Sequence, residues 1–106
     1  MGIQAFATMG NTVTFTAVTT APTAVQALSK TLGGNQYRII NNGTVTVFLG
    51  FATTASDAAN NAANVATSLP LLPSTDEILS FVPNAYFTGK TASGTAVVYI
   101  TPGDGL

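Results

Sequence analysis

The residues best suited to acid–base chemistry in this chain are its four carboxylates, Asp57, Asp76, Glu77 and Asp104. Asp76 and Glu77 are adjacent, and neighbours on a strand point to opposite faces, so they cannot form the two opposed carboxylates of a glycosidase. We expect them to be solvated charges at the start of a strand. Asp57 and Asp104 lie among small residues without the oxygen-rich spacing of a calcium loop. Asp104, between two glycines, is typical of a turn.

Nucleophilic and metal chemistry are limited by the residue types that the sequence lacks. It contains no histidine and no cysteine, which excludes a Ser-His-Asp triad, a disulfide and a thiolate metal site. A Ser-Lys dyad would need Lys30 or Lys90, and Ser29 directly precedes Lys30, which is the wrong relation on a strand. Gly33 and Gly34 lack the lysine and the spacing of a phosphate-binding loop. The sequence therefore predicts a protein that is not an enzyme, with no catalytic residue, cofactor or metal site.

The charge of the chain argues against nucleic acid and membranes as partners. Charged residues make up 7% of the sequence, against about 25% in an ordinary soluble domain, and three basic residues are too few to follow a phosphate backbone. No run of about 18 apolar residues could span a bilayer. The first residues lack the basic region and apolar core of a secretory signal. We therefore expect synthesis in the cytoplasm, where the sequon Asn42-Gly43-Thr44 is explained by a turn.

The stretch that must organise these elements is 36–51, in which two runs of β-branched and aromatic residues flank Asn41, Asn42 and Gly43. This pattern is typical of a β-hairpin. A two-residue loop would pair Ile40 with Val45. A three-residue loop with Gly43 in the left-handed conformation would pair Ile39 with Val45 instead.

The three-residue loop separates apolar from polar side chains better. It leaves Arg38, Thr44 and Thr46 on one face and gathers most of the apolar side chains on the other, which are Tyr37, Ile39, Val45, Val47, Leu49 and Phe51. A slip of one residue would turn every side chain of a strand to the opposite face. The sequence therefore predicts the register in which Ile39 faces Val45.

Other short runs with strand character lie on both sides of this stretch. They are residues 4–9, 12–19, 77–82, 85–89 and 95–101, with an extended segment at 69–75 and a weak strand or single turn within 23–32. Val13, Phe15 and Ala17 alternate with threonines, which indicates a half-buried strand. Residues 77–82 are apolar on both faces, which indicates an interior strand. The tail 102–106 begins with proline and is expected to end the ladder.

The segment 52–68 is rich in alanine and asparagine and has no large side chain. Its three asparagines are poor helix formers, so the composition favours a long surface loop with a helical turn at most. The alternative is a short helix over 58–66, capped by Ser56 or Asp57.

These elements predict the fold class. Six or seven short strands separated by turn signals, without a long amphipathic helix, favour a single all-β domain over residues 1–106. The expected architecture is an antiparallel β-sandwich, jelly-roll-like, with one long Ala/Asn-rich loop or short helix at 52–68.

Several segments spread over about the last two-thirds of the chain together resemble a known class of proteins. They are Tyr37-Arg-Ile-Ile-Asn-Asn-Gly-Thr, Val47-Phe-Leu-Gly-Phe, Leu71-Leu-Pro-Ser, Glu77-Ile-Leu-Ser-Phe, Pro83-Asn-Ala-Tyr-Phe and Tyr99-Ile-Thr-Pro-Gly-Asp-Gly-Leu. From residue 36 onwards the chain is similar to small virion proteins of tailed bacteriophages, of the capsid decoration or cement type. The resemblance implies a structural protein on the capsid surface of the virion, a homotrimer bound to the major capsid protein. It assigns no binding residue.

The composition suits such a role. A chain with few charges is poorly protected against association, so we expect a homo-oligomer, a trimer with apolar contacts around its axis. The uncharged N-terminal segment, residues 52–68 and the tail are the expected contacts with the capsid. The alternative function is a tail- or fibre-associated β module that contacts a receptor or carbohydrate, although the absence of tryptophan weakens a sugar platform.

Overall fold

The computed structural model describes residues 7–8, 10–28 and 35–104, which contain nine strands and one α-helix. In chain order they are β1 (Ala7–Thr8), β2 (Val13–Ala17), β3 (Val25–Gln26), β4 (Gln36–Asn41), β5 (Val47–Ala52), α1 (Ala55–Ala63), β6 (Leu69–Leu71), β7 (Thr75–Ser80), β8 (Tyr86–Thr91) and β9 (Ala96–Asp104). A single 3-10 turn, Val65–Thr67, follows α1. The expected strand at 4–9 is represented by β1, and its remainder lies outside the described residues, as do 29–34.

The strands form two antiparallel sheets, as the all-β prediction requires. The first sheet has the order β1, β9, β4, β7, and β2 pairs with β9 beside β1. The second sheet has the order β3, β8, β5, β6. The chain changes sheet at most of its connections, so strands that follow one another in sequence usually face each other across the core.

The pairings are nested about the β5–β6 connection. β5 pairs with β6, β4 with β7, β3 with β8 and β2 with β9. Each outer pair therefore closes around the pair inside it. The longest of these strands, β9, lies in the middle of the first sheet, between β4 on one side and β1 and β2 on the other.

The predicted hairpin at 36–51 is wrong, although its apolar face is right. Ile39 pairs with Glu77 and Ile100, and no strand pairing joins β4 to β5. Among the described residues, positive φ is found at Ser74, Asn84 and Gly94 but not at Gly43. Alternation identifies which side chains face the core, and it does so equally for two paired strands and for two strands that face each other from different sheets.

The core lies between the two sheets. Tyr37, Ile39, Val47 and Leu49, which the sequence placed on one face, are all fully buried. Phe15 and Ala17 of β2 point into the same cluster, as their alternation predicts. Its remaining large members are Leu71, Phe87, Val98 and Ile100.

Aromatic contacts join the sheets through this core. The rings of Tyr37 and Phe87 meet edge to face at 4.8 Å between centroids, and those of Phe51 and Phe81 at 5.0 Å. Tyr37 belongs to the first sheet and Phe87 to the second, so the contact ties the two layers directly. Such geometry adds about 0.5–1.5 kcal/mol to the burial of each pair.

Two strand predictions near the end of the chain are corrected. Residues 77–82 were expected to form an interior strand, but β7 is an edge strand and its Ile78 is 54% exposed. The tail was expected to end the ladder at Pro102, but β9 continues to Asp104: Pro102 pairs with Tyr37. Proline has no N–H to donate to the ladder, but its carbonyl can still accept a hydrogen bond, so only one ladder bond is lost there.

Glu77 has an unusual position for a charged residue. It lies opposite Ile39, whose side chain is buried, so Glu77 points toward the core side of the first sheet while remaining exposed at its edge. A charge that points inward on an edge strand discourages another strand from pairing there. One edge strand of the second sheet, β6, is only three residues long and contains Pro70, which has the same effect.

Within residues 52–68 the chain forms a helix at Ala55–Ala63, so the expectation of a long surface loop is wrong and the alternative of a short helix is correct in type. α1 begins three residues earlier than the alternative predicted, and its N-cap is Thr54, whose Oγ1 accepts a hydrogen bond from the Asp57 N–H at 3.1 Å. A helix of this length is marginal by itself. It is therefore stabilised by its packing on the outer face of the second sheet.

The small residues of α1 are explained by how closely it approaches that sheet. A Cβ placed on Gly50 of β5 would lie 2.3 Å from both the Ala58 carbonyl oxygen and the Ala62 nitrogen. Ala58 and Ala62 are fully buried at this contact. Glycine on the strand and alanine on the helix are thus the residues that fit.

Replacing Ala62 with valine should lower the free energy of unfolding by about 1–3 kcal/mol, because the added methyls overpack the contact with Gly50. Ala63→Val is the matched control: it is the same change on the same helix, but Ala63 is exposed, so we expect a loss of about 0.5 kcal/mol. Urea unfolding followed by circular dichroism measures both. Equal losses would contradict the seating of α1 on Gly50.

Candidate functional site

The adjacent carboxylates do not form an acid–base pair. Asp76 lies opposite Ile40 and Glu77 opposite Ile39 on β4, so the two side chains point to opposite faces of the sheet, as predicted. Asp76 is half-exposed and forms an ion pair with Arg38, with 3.2 Å between Nη2 and Oδ2. An ion pair this exposed contributes little to stability. Its main effect is to cancel two of the few charges on this face.

Two further charged residues lie at the ends of α1. Asp57 lies in the first turn of the helix, where the helix dipole favours a negative charge. Lys90 Nζ donates a hydrogen bond to the Ala63 carbonyl at 3.0 Å, at the opposite end, where a positive charge is favoured. Lys90 therefore caps a helix, and the possible dyad partners Ser29 and Lys30 lie outside the described residues.

The described residues contain no group of three or more side chains of the metal-ligating types His, Cys, Asp and Glu. Asp104 is part of β9, where its backbone pairs with Ala7, so the turn predicted for it is wrong. Within the same residues, no helix is long and apolar enough to cross a membrane.

The candidate functional site is instead a surface at one end of the molecule, which we call the arch end. It consists of three links that carry the chain from one sheet to the other: residues 42–46, 72–74 and 92–95. The strand registers bring them together, because Asn41 pairs with Thr75 and Val98, and Val47 with Leu71 and Thr91.

A buried amide, that of Asn41, holds the arch end together. Its Nδ2 donates to the carbonyls of Val45 at 2.9 Å, Leu71 at 3.0 Å and Leu72 at 3.2 Å. Its Oδ1 accepts the Gly43 N–H at 3.0 Å. One fully buried side chain thus binds the first link to the second.

Sequence reasoning missed Asn41 because it assigned the residue to a hairpin turn. The available signal was alternation: Tyr37 and Ile39 point inward, so Asn41 must do so too. An inward amide at the end of a strand requires hydrogen-bond partners inside the protein. Here those partners are backbone carbonyls of the two crossing links.

The first link packs tightly against the start of β9. The Asn42 N–H donates to the Val97 carbonyl at 2.9 Å. A Cβ on Gly43 would lie 2.4 Å from the Ala96 Cβ. Glycine is therefore required at 43 by this close approach, and not by the positive φ that the hairpin predicted.

The surface of the arch end carries no charged residue. Leu72 is its most exposed apolar side chain, at 62%. An open concavity of about 440 Å³ lies beside it, lined by Thr44, Thr46, Phe48, Pro73, Ala92 and Ser93 among others. Contacts at this surface would consist of apolar burial and neutral hydrogen bonds.

The arch end continues onto the outer face of the first sheet. A second concavity, of about 220 Å³, is lined by Asn42 and Ser74 of the arch end and by Ile40. The Arg38–Asp76 pair lies at the same concavity. This outer face is not covered by α1, which packs on the other sheet.

The opposite end of the molecule is fixed by Tyr37. Its buried hydroxyl donates to the Val82 carbonyl and accepts the Ala85 N–H at 3.1 Å. Burial raises the pKa of Tyr37 above its usual value of 10.0, and the hydrogen bond from Ala85 opposes this shift. The ring and its hydroxyl thus order the link between β7 and β8.

Comparisons of the chain with protein-family models, with curated proteins and with solved structures found no match. The geometry and chemistry of the described residues therefore supply the functional argument.

Replacing Tyr37 with phenylalanine should lower the free energy of unfolding at neutral pH by about 1–3 kcal/mol, because the Val82 carbonyl and the Ala85 N–H lose a buried partner. Tyr99→Phe is the control: Tyr99 is 37% exposed, and we expect a change within about 0.5 kcal/mol. Chemical unfolding of the three proteins tests this, and equal losses would contradict it.

The raised pKa of Tyr37 also predicts a dependence on pH. The folded protein holds the phenolic proton more tightly than the unfolded chain, so the stabilisation is complete below about pH 10 and falls as the pH rises through the folded pKa. The difference in unfolding free energy between wild type and Tyr37→Phe should therefore shrink above that pH. A constant difference up to strongly alkaline pH would contradict the burial of the hydroxyl.

Proposed function

We propose that this protein is a structural virion protein, a capsid decoration or cement protein that binds the outside of a phage head and stabilises it. The observation that carries the proposal is the arch end: an uncharged surface with an exposed leucine, built by three links, of which Asn41 joins the first to the second. The resemblance of several segments between 36 and 106 to phage decoration proteins, seen in the sequence alone, suggests the same role. The partner is the major capsid protein, and the location is the capsid surface, after synthesis in the host cytoplasm.

We further propose that the fold is a β-sandwich of the jelly-roll type. The nested pairing of β2 with β9, β3 with β8, β4 with β7 and β5 with β6 supports it. This is the pattern of a long antiparallel ribbon rolled into two four-stranded sheets, with β1 added at one edge. Jelly rolls occur in viral capsid and lectin domains, which is an analogy of fold and does not assign a function.

The contacts with the capsid are proposed from the described surface. The tail was expected to contribute, but Pro102 and Gly103 are buried within the first sheet. The exposed side chains of α1, such as Asn60, remain available. The arch end offers an uncharged surface whose first two links are joined by the hydrogen bonds of Asn41, so binding there orders little further backbone.

Assembly into a homotrimer would use the outer face of the first sheet. Ile78 and Tyr99 are exposed there beside threonines such as Thr14 and Thr16. The charges of Arg38 and Asp76 on this face neutralise each other within one chain. Apolar contact between such faces leaves the arch end free for the capsid.

The cement role predicts that adding the protein back to stripped heads raises the temperature of DNA release. Leu72→Asp should abolish this protection, because a charge buried without a partner is strongly unfavourable. Ser80→Asp is the matched control, since it places the same charge on an exposed position at the other end of β7. If heads release DNA at the same temperature with and without the wild-type protein, the cement role is wrong. If both variants lose the protection, only the arch end as the contact is wrong.

Attachment should also persist in concentrated salt. Exposed ion pairs are screened at about 1 M salt, whereas apolar burial is not weakened. We expect the fraction of protein bound to heads to change less than about twofold between low salt and 1 M salt. Release by salt would indicate an electrostatic interface and contradict the proposed contact.

The trimer is tested by light scattering at micromolar concentration. A trimer supports contact through the outer face of the first sheet, and Tyr99→Asp should then give monomers. A strict monomer both in solution and on heads would contradict the proposed assembly.

The alternative is a tail- or fibre-associated β module that contacts a receptor or a carbohydrate. The larger concavity favours it, because Phe48 lies there beside the hydroxyls of Thr44, Thr46 and Ser93, and an apolar ring flanked by hydroxyls suits a neutral sugar. Mass spectrometry of separated head and tail fractions distinguishes the two functions. Protein found only in tails would replace the cement role with this one.

A further inference from the structure

The first link of the arch end contains an Asn-Gly pair, a sequence in which the asparagine side chain can lose its amide group. Asn42-Gly43 is the only Asn-Gly pair in the sequence, and Asn42 is exposed. When the Gly43 amide nitrogen loses its proton, it can attack Cγ of the Asn42 side chain. Glycine favours this attack because no Cβ hinders the peptide from turning.

The reaction is a deamidation in two steps. In the first, a bond forms between the Gly43 nitrogen and Asn42 Cγ, the bond from Cγ to the side-chain nitrogen breaks, and ammonia leaves with the proton that Gly43 gave up. The product is a five-membered cyclic imide. In the second, water opens the ring at either carbonyl and leaves aspartate or isoaspartate at 42. No oxidant or reductant is needed.

The structure holds the attacking nitrogen in a hydrogen bond. The Gly43 N–H donates to Asn41 Oδ1 at 3.0 Å, and the preceding N–H, that of Asn42, donates to the Val97 carbonyl at 2.9 Å. A proton shared with a buried acceptor is harder to remove than one exposed to water. The nitrogen is therefore a poorer nucleophile in the folded protein than in the unfolded chain.

Packing also holds the first link against β9. The ideal Cβ position on Gly43 lies 2.4 Å from the Ala96 Cβ and 2.8 Å from its Cα, so this part of the link lies directly on the start of β9. Asn41 itself is fixed by the carbonyls of Val45 and Leu71. Attack thus requires the link to leave β9.

We propose that Asn42 is a deamidation site that the Asn41 side chain keeps closed in the folded protein. The reaction proceeds through local opening of the first link, and its rate follows the population of the open state. The product places a negative charge on an arch end that otherwise has none.

The test compares rates of mass gain in the intact protein at mildly alkaline pH. Wild type should gain one mass unit at least about tenfold more slowly when folded than in urea. Asn41→Ser should react about tenfold or more faster than folded wild type, because the Gly43 N–H and the carbonyls lose their partner. Asn42→Gln should show no comparable gain, because the larger ring forms far more slowly.

Tyr37→Phe separates local from global opening. It weakens the opposite end of the molecule, so it should deamidate at the wild-type rate although its stability is lower. Equal acceleration by Asn41→Ser and Tyr37→Phe would overturn the proposal, as would a folded wild type that reacts at the rate found in urea.

A second measurement covers the case in which Asn41→Ser does not fold. In wild type, the hydrogen exchange of the Gly43 amide reports opening of the first link directly. Deamidation should accelerate with this exchange at low urea, below the concentrations that unfold the core amides. A rate that rises only with global unfolding would contradict gating by Asn41.

Discussion

The fold depends on a buried amide at the place where the chain leaves one sheet for the other. Asn41 Nδ2 donates to the carbonyls of Val45 and Leu71. Without it these carbonyls would lose this donor, and each unsatisfied buried group costs about 1–3 kcal/mol. Asn41 Nδ2 joins the first crossing, at Val45, to the second, at Leu72. The amide therefore stabilises the passage between the sheets as well as the surface built on it.

The two sheets differ in what covers their outer faces. The second sheet is covered by α1, which fits because Gly50 has no side chain. The first sheet is left open, with Tyr99 and Ile78 exposed among threonines. One free edge of each sheet is blunted, β7 by Glu77 and β6 by Pro70. Association through these two edges is thus discouraged, while association through the open face and the arch end is not.

Sequence patterns predicted the buried side chains better than the partners of each strand. The period of two placed Tyr37, Ile39 and Val47 in the core correctly. It could not show that β4 pairs with β7 and β9, because those partners lie far away in the sequence and depend on the whole topology. The composition of the chain, which contains no histidine and no cysteine, excluded the chemistry of these residues without any knowledge of the structure.

The helix and the site were missed because both depend on tertiary contacts. The asparagines of 52–68 argue against a helix, and contact with Gly50 outweighs that preference. The arch end gathers three links that no local motif connects. Asn41 alone could have been found, since alternation turns its amide inward.

The central position of β9 has a consequence for how the protein is made. The first sheet cannot close until Ala96–Asp104 has left the ribosome, because β1, β2 and β4 all pair with that strand and hardly with one another. Until then, β1 and β2 have no strand partner in this sheet and β4 has β7 alone, a state in which nascent chains tend to aggregate. Pairings between such distant segments also form slowly. The first sheet therefore closes only after its central strand, the last of the described strands in chain order, has been made.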